Sequence, residues 1–190
     1  MTQYAIFETS IGWAGVAWAE KGLVGCYLPE ADRETARRSF VRRYPGAAEA
    51  EPTAVVAHAI EEIRELLTGK AVDLRDVPID ISQVPEFNAR VYEIARAIPP
   101  GKTLTYGEIA VKLGDKLLAR DVGAALGQNP WPIVVPCHRV TAAGGKLGGF
   151  SARGGVNTKV KLLAIEGAEV LQPAPAKAKA QAAPQPSLFD

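Results

Sequence analysis

The chain has 190 residues, 47% of them hydrophobic, which is enough for one sizeable core or two small ones. No apolar run approaches the roughly 20 residues that span a bilayer, and the stretch Met1–Glu8 has no basic flank of the kind a signal peptide carries. Cys26 and Cys137 are the only cysteines and there are two histidines, too few for a disulfide framework or a structural zinc site, so a reduced, cytoplasmic protein without metal or membrane partner is expected. Charge is uneven: residues 1–85 hold 9 Lys and Arg against 13 Asp and Glu, a net of −4, whereas residues 86–166 hold 11 against 6, a net of +5. A basic second part suits a polyanionic partner.

Three short strands are predicted first, Tyr4–Phe7, Gly15–Trp18 and Leu23–Leu28, with turns at Gly12 and Glu20–Gly22. Ala31–Tyr44 is charged and helical and stops at Pro45. Ala54–Leu67 places Val56, Ile60, Ile63 and Leu67 at helical spacing, with Gly69 as its stop. A further strand is expected near Val77–Ile81. Residues 1–84 thus read as an α+β domain, a small antiparallel sheet with helices. His58, beside Glu61, Glu62 and Glu65, reads as a surface histidine, and Cys26, in an apolar strand with no basic neighbour, as a buried structural thiol.

From Pro85 the pattern is mostly α-helical, and residues 85–170 read as a second domain. Phe87, Val91, Ile94 and Ile98 form an apolar stripe that ends at Pro99-Pro-Gly101. Thr105 opens another helix, and Glu108 completes a capping box. A third helix spans about Leu118–Leu126. Two short helices around a tight turn containing Gly114 fit a helix-turn-helix, and equally a plain helical hairpin. Trp131–Pro136 reads as extended, Gly144–Gly149 as a glycine-rich loop, and Asn157 as the N-cap of a last helix closed by Gly167. Residues 171–190, rich in Ala, Pro, Lys and Gln, have the composition of a disordered tail.

Cys137 is the candidate nucleophile. It follows a proline, precedes His138 and Arg139, and lies where an extended segment gives way to a loop. A thiol reacts as its thiolate, and nearby cations or a histidine base raise the thiolate fraction. Glu166, at the end of the last helix, is a candidate to orient the imidazole. On this pattern alone a catalytic and a structural Cys137 are both open.

Pro136-Cys-His-Arg-Val140, preceded by Gly127-Gln-Asn-Pro130, resembles the active-site signature of the O6-alkylguanine-DNA alkyltransferases, and Pro100-Gly-Lys-Thr-Leu-Thr-Tyr-Gly-Glu-Ile-Ala110 resembles the start of that family's helix-turn-helix. The likeness runs from about Phe87 to Gly167. It implies that Cys137 accepts the alkyl group, that His138 draws the thiol proton through a water, and that Glu166 orients His138. Asn129 would tie the helix-turn-helix to the active-site loop, and Tyr106 would help rotate the nucleotide and protonate the leaving guanine. Arg120 would fill the gap in the base stack, with Thr105, Ala119, Gly123 and Arg139 as further DNA contacts. Val140, Phe150 and Ser151 would line the substrate pocket. The implied partner is double-stranded DNA containing O6-alkylguanine, with O4 of thymine as a second alkyl source. The implied chemistry needs no cofactor, and a monomer suffices.

There are departures from the family pattern. Phe150 stands where relatives often carry tyrosine, Ser151-Ala-Arg153 alters the substrate loop, and the first lobe lacks the zinc ligands some relatives have. Two other readings compete: a non-enzymatic alkyl-damage sensor, a branch in which another residue replaces the cysteine, and a thiol hydrolase using Cys137, His138 and Glu166. The tail ends in Gln185-Pro-Ser-Leu-Phe189, which resembles the peptide that docks bacterial repair proteins on the sliding clamp; Gln185, Leu188 and Phe189 would be its contacts. A bland tail is the other reading.

Overall fold

The computed structural model describes residues 1–152 and 154–168. β1 (Gln3–Thr9), β2 (Gly12–Ala19) and β3 (Gly22–Glu30) form an antiparallel meander, and β4 (Ala48–Glu49) pairs parallel to β1. The strand order is β3-β2-β1-β4. Both faces are covered, as the alternation in β1 requires. Tyr4 and Ile6 point to α1 (Arg33–Arg43), where Phe40 is fully buried. Ala5 and Phe7 join the main core with Val56, Ile60 and Ile63 of α2 (Ala54–Leu67). Asp32 caps α1 by accepting from Thr35 N at 2.8 Å, and Thr53 caps α2.

The strand expected near Val77–Ile81 does not form. That segment makes one parallel bridge, Leu23 with Ile79, using Leu23 N to Pro78 O and Asp80 N to Leu23 O. Pro78 has no N–H with which to extend a ladder. The segment instead covers part of the exposed edge of β3.

The second half packs α3 (Glu86–Arg96), α4 (Tyr106–Lys112), α5 (Ala119–Gly127) and α6 (Gly155–Ile165) around a short parallel pair, β5 (Leu104–Thr105) and β6 (Val140–Thr141). The capping box forms as expected: Thr105 Oγ1 accepts from Glu108 N at 3.1 Å, and Glu108 Oε2 accepts from Thr105 N at 2.6 Å. A single 3₁₀ turn, Lys116–Leu118, joins α4 to α5. Tyr92 of α3 locks α5 by donating its hydroxyl to Ala125 O at 2.9 Å. One continuous buried cluster takes Val16 and Ile63 from the first half and Val91, Ile109, Val122 and Leu162 from the second.

Two local expectations are corrected. Trp131–Pro136 is a tight turn rather than an extended segment: Val135 N bonds Trp131 O at 2.7 Å, and Ile133 has φ 78°. A β-branched residue in that region is strained by about 1–3 kcal/mol, and it persists only where its surroundings impose it. Here Trp131, Ile133, Val134 and Val135 are all buried. The last helix begins at Gly155, not after Asn157, and its cap is Gly154 at φ 82°. A Cβ on Gly154 would lie 2.1 Å from Thr158 Oγ1, so glycine alone fits, and Asn157 falls inside the first turn. Among the described residues, no helix is long and apolar enough to cross a membrane, and no cluster of side chains could hold a metal ion.

Candidate active site

The loop that carries Cys137 is suspended between the two halves. On one side it hangs from the edge of β3: Cys26 N donates to Pro130 O at 2.8 Å, and the Trp131 indole donates to Leu23 O at 2.8 Å. On the other side Asn129, just beyond α5, accepts from Trp131 N at 2.9 Å and donates Nδ2 to Val135 O at 2.8 Å. The strained Ile133 turn is thereby pinned at both ends. It delivers Cys137 into a 3₁₀ turn, Cys137–Arg139, where the residue is only partly covered.

Beneath that turn lies a buried charge cluster. His138 is 1% exposed, and its Nε2 sits 2.9 Å from Glu166 Oε1. Arg139 forks onto the same carboxylate, Nε to Oε2 at 2.9 Å and Nη2 to Oε1 at 2.8 Å, and sends Nη1 to Ile98 O at 2.6 Å. Burial pushes the Glu166 carboxyl up, but the bonds from His138 and Arg139 outweigh it and hold it down at about 2. Burial likewise lowers the His138 pKa, so the ring is neutral. An ionised carboxylate against Nε2 requires the proton on that nitrogen. Nδ1 then carries the free lone pair, and it is buried with no hydrogen-bond partner among the described residues. This arrangement forms a base aimed away from Glu166.

The thiol is subject to opposing influences. Burial raises the Cys137 pKa, while a hydrogen bond with Asn129 and the charge of Lys159 pull it down. Lys159 was missed in the sequence. It is fully buried on α6, donates to Val140 O and, at 3.4 Å, to Gly149 O, and stands 5.8 Å from the centre of the Tyr106 ring. Burial lowers its pKa to about 8. One signal was available: Lys159 precedes Glu166 by seven residues, two helical turns, and so shares its face.

Tyr106 opens α4 and donates to Gly149 O at 3.3 Å. Its ring is flanked by Gly123 of α5 and by Gly148, where a Cβ would approach it to 2.9 Å. Ser151 bonds Gly127 O at 3.1 Å, Phe150 packs on the core, and Val140 is buried in β6. Cys137, His138, Glu166, Asn129, Tyr106, Val140, Phe150 and Ser151 therefore belong to one neighbourhood. Thr105, Ala119, Arg120 and Gly123 lie along α4 and α5; Arg120 is exposed, without a carboxylate partner among the described residues. Arg139, expected among the DNA contacts, is 3% exposed and committed to Glu166. Gln185, Leu188 and Phe189 lie outside the described residues.

Residues 86–168 match the model of the 6-O-methylguanine DNA methyltransferase, DNA binding domain. A methylated-DNA–protein-cysteine methyltransferase of Mycobacterium tuberculosis is 42% identical over 166 residues, covering 87% of this chain and 93% of the relative. The chain belongs to the methylated-DNA–protein-cysteine methyltransferase family. A crystal structure of Mycobacterium tuberculosis OGT in complex with DNA superposes with a TM-score of 0.71 at 32% identity, covering 87% of this chain and 92% of the other. A DNA base-flipping protein of Thermus thermophilus is 39% identical over 132 residues, covering 70% of this chain and 86% of the relative.

Proposed function

We propose that the protein repairs O6-alkylguanine in double-stranded DNA by moving the alkyl group onto its own Cys137 in a single irreversible step. The observation that carries this reading is the buried Glu166–His138 pair, its histidine next in sequence to a partly covered Cys137, with Arg120 exposed on α5. Residues 85–170 perform the chemistry, and residues 1–84 serve as the platform from which β3 suspends the nucleophile loop.

The α4–α5 pair acts as the helix-turn-helix. Small residues on α5, Ala119, Gly123 and Ala124, let its backbone approach a groove closely. Arg120 enters the stack as the damaged nucleotide swings out, a step that costs a few kcal/mol of unstacking. The thiol proton passes to His138 Nδ1 through a bridging water, and the imidazolium is stabilised by Glu166. Sulfur attacks the alkyl carbon in line, the carbon–O6 bond breaks, and the guanine leaves with the electron pair and takes a proton from Tyr106. The thioether is stable, so each molecule acts once, as a monomer in the cytoplasm.

Incubation with a duplex containing O6-methylguanine, followed by mass spectrometry, tests the reading. The Cys137 peptide gains about 14 Da, with a burst equal to the protein concentration. Cys137→Ala abolishes transfer and keeps DNA binding. Repeated turnover would instead indicate a hydrolase, and binding with the lesion left intact a sensor. Gln185, Leu188 and Phe189 dock on the bacterial sliding clamp, the two apolar side chains filling a pocket on it. Clamp pull-down is lost in the Leu188→Ala/Phe189→Ala protein; equal background retention of both forms would end the idea.

A further inference from the structure

The carbonyl oxygen of Leu23 holds two segments at once. It accepts the Asp80 amide and the Trp131 indole N–H, each at 2.8 Å. A carbonyl oxygen has two lone pairs, and both are taken. Asp80 belongs to the chain between α2 and α3, which joins the two halves, whereas Trp131 opens the turn that delivers Cys137. The nucleophile loop therefore hangs from the same atom that anchors the connecting chain.

The connecting chain is itself gripped from the second half. Residues 74–77 form no ladder, so their carbonyls need donors from elsewhere. Arg96, the last residue of α3, supplies one: its Nη2 donates to Leu74 O at 3.2 Å, to Arg75 O at 2.6 Å and to Val77 O at 2.6 Å. Three acceptors thus converge on one cationic nitrogen, at a helix end that favours positive charge. Asp73 and Asp76 add attraction from the same segment. The Nε of that guanidinium is buried with no partner among the described residues, so the carbonyl contacts fix the side chain even at the cost of an unmet donor.

From this grip a continuous series of hydrogen bonds reaches the nucleophile. Pro78, next to Val77, accepts from Leu23 N at 2.9 Å, and Leu23 O takes the Trp131 indole. Trp131 O accepts from Val135 N at 2.7 Å, and Val135 O accepts from Cys137 N at 2.8 Å. Leu23, Trp131 and Val135 are buried, so a bond displaced there finds no water to replace it. The same end of α3 also reaches the far side of the loop, where Ile98 O accepts from Arg139.

We propose that Arg96 is a positioning residue for alkyl transfer: it holds the connecting chain so that the Leu23 carbonyl fixes Trp131 and, through the turn, the sulfur of Cys137. Arg96 takes no part in the bond changes. Its leverage comes from the geometry of in-line displacement, in which a misplacement of about 1 Å, set far from the reacting atoms, slows reaction by about 100-fold. The inference rests on the alkyl-transfer reading above and adds to it a residue outside the nucleophile's surroundings.

The test is a cycle of full-length proteins, native, Arg96→Met, Trp131→Phe and the double variant, all kept well below their melting temperatures. Single-turnover transfer from an O6-methylguanine duplex is measured with protein in saturating excess, and duplex affinity separately. Arg96→Met slows the saturated rate by about tenfold and leaves the affinity unchanged. Trp131→Phe removes the indole donor and slows transfer as well. The double variant is no slower than the slower single variant, because both changes break one path. Arg96→Lys recovers most of the rate, since its three N–H groups can serve the three carbonyls. Should Arg96→Met not fold, Arg96→Gln takes its place in the cycle. Exchange of the Trp131 indole proton with solvent, followed by NMR, reads the same path without chemistry: it quickens in Arg96→Met and is native-like in Arg96→Lys. Losses that multiply in the double variant, or an indole exchange that does not respond, would overturn the role and leave Arg96 a structural tie. A loss confined to duplex affinity would overturn it too. Absence of methyl transfer in the native protein would be a different result, the failure of the transfer reading itself, and the indole exchange would still decide whether Arg96 holds the loop.

Discussion

The two halves of the molecule use ion pairs in opposite ways. In the first half they sit in solvent: Arg37–Glu34 has side chains 40% and 56% exposed, and Lys70–Glu65 63% and 42%. In the second half, the pairs found among the described residues converge on Glu166, whose side chain is 3% exposed, with His138 at 1% and Arg139 at 4%. Exposed pairs gain little over hydration and are screened by salt. Buried ones have given up their hydration and depend on every partner being in place. The first half can lose a pair without consequence; the second half has made one carboxylate responsible for the tautomer of its base, the position of its nucleophile turn and part of its stability.

The largest break in that contrast is Glu166→Gln. It leaves Arg139 buried beside a neutral amide and lets the His138 proton move to either nitrogen. A loss of about 3–5 kcal/mol in stability is expected. Transfer slows by about 100-fold or more, because the base no longer presents a fixed lone pair. Thermal melting and single-turnover transfer measure the two effects. A melt unchanged by the substitution would mean that the cluster does not hold the second half together.

Lys159→Met separates function from stability. The native lysine is buried, and its pKa is lowered to about 8, so keeping it charged costs free energy. Replacement by an apolar side chain of similar length is expected to leave the melting temperature level or higher. Transfer slows by about tenfold, since the cation that favours the Cys137 thiolate and the tie between Val140 O and Gly149 O are both gone. The midpoint of the rate against pH moves upward. An unmoved midpoint with a slower rate would reduce Lys159 to a structural tie.

Acid stability follows from the same carboxylate. Glu166 titrates at about 2 in the folded protein and near its ordinary 4.5 when unfolded. Between those values the unfolded chain binds more protons, so stability present above 4.5 is lost as pH falls through that window. Denaturant melts between pH 5 and pH 2 in the native protein and in Glu166→Gln isolate the contribution. The acid slope should be shallower in the variant, and equal slopes would remove Glu166 as its source.

How far all this was legible in the sequence depends on range. The meander, α1, α2 and the capping box at Thr105 and Glu108 are local, set by alternation, helical spacing and an oxygen three residues from an amide, and they appear where expected. Cys137, His138 and Glu166 stood out as candidates because a motif carried them, and the fold brings His138 and Glu166 into contact. The burial of Arg139 was not legible, because its partners Glu166 and Ile98 arrive from distant parts of the chain. Lys159 was passed over for the same reason, since nothing local reveals that Val140 O and Gly149 O converge on it. The Trp131–Pro136 turn escaped because apolar residues between prolines favour extension, and the ties that pin the turn around Ile133 come from Leu23 and Asn129, outside the segment.

The smallest effect completes the contrast. Lys70→Ala removes the 2.6 Å contact with Glu65, on paper a shorter pair than either bond from Arg139 to Glu166. Distance alone would rank it first. Exposure reverses the order: both side chains are hydrated in either state, and the pair must also hold two long side chains still. The change in stability should stay below about 1 kcal/mol and vanish in high salt, with transfer untouched. If Lys70→Ala proved as damaging as Glu166→Gln, burial could not be what divides the two halves, and the weight placed on the Glu166 cluster would have to rest on its hydrogen bonds alone.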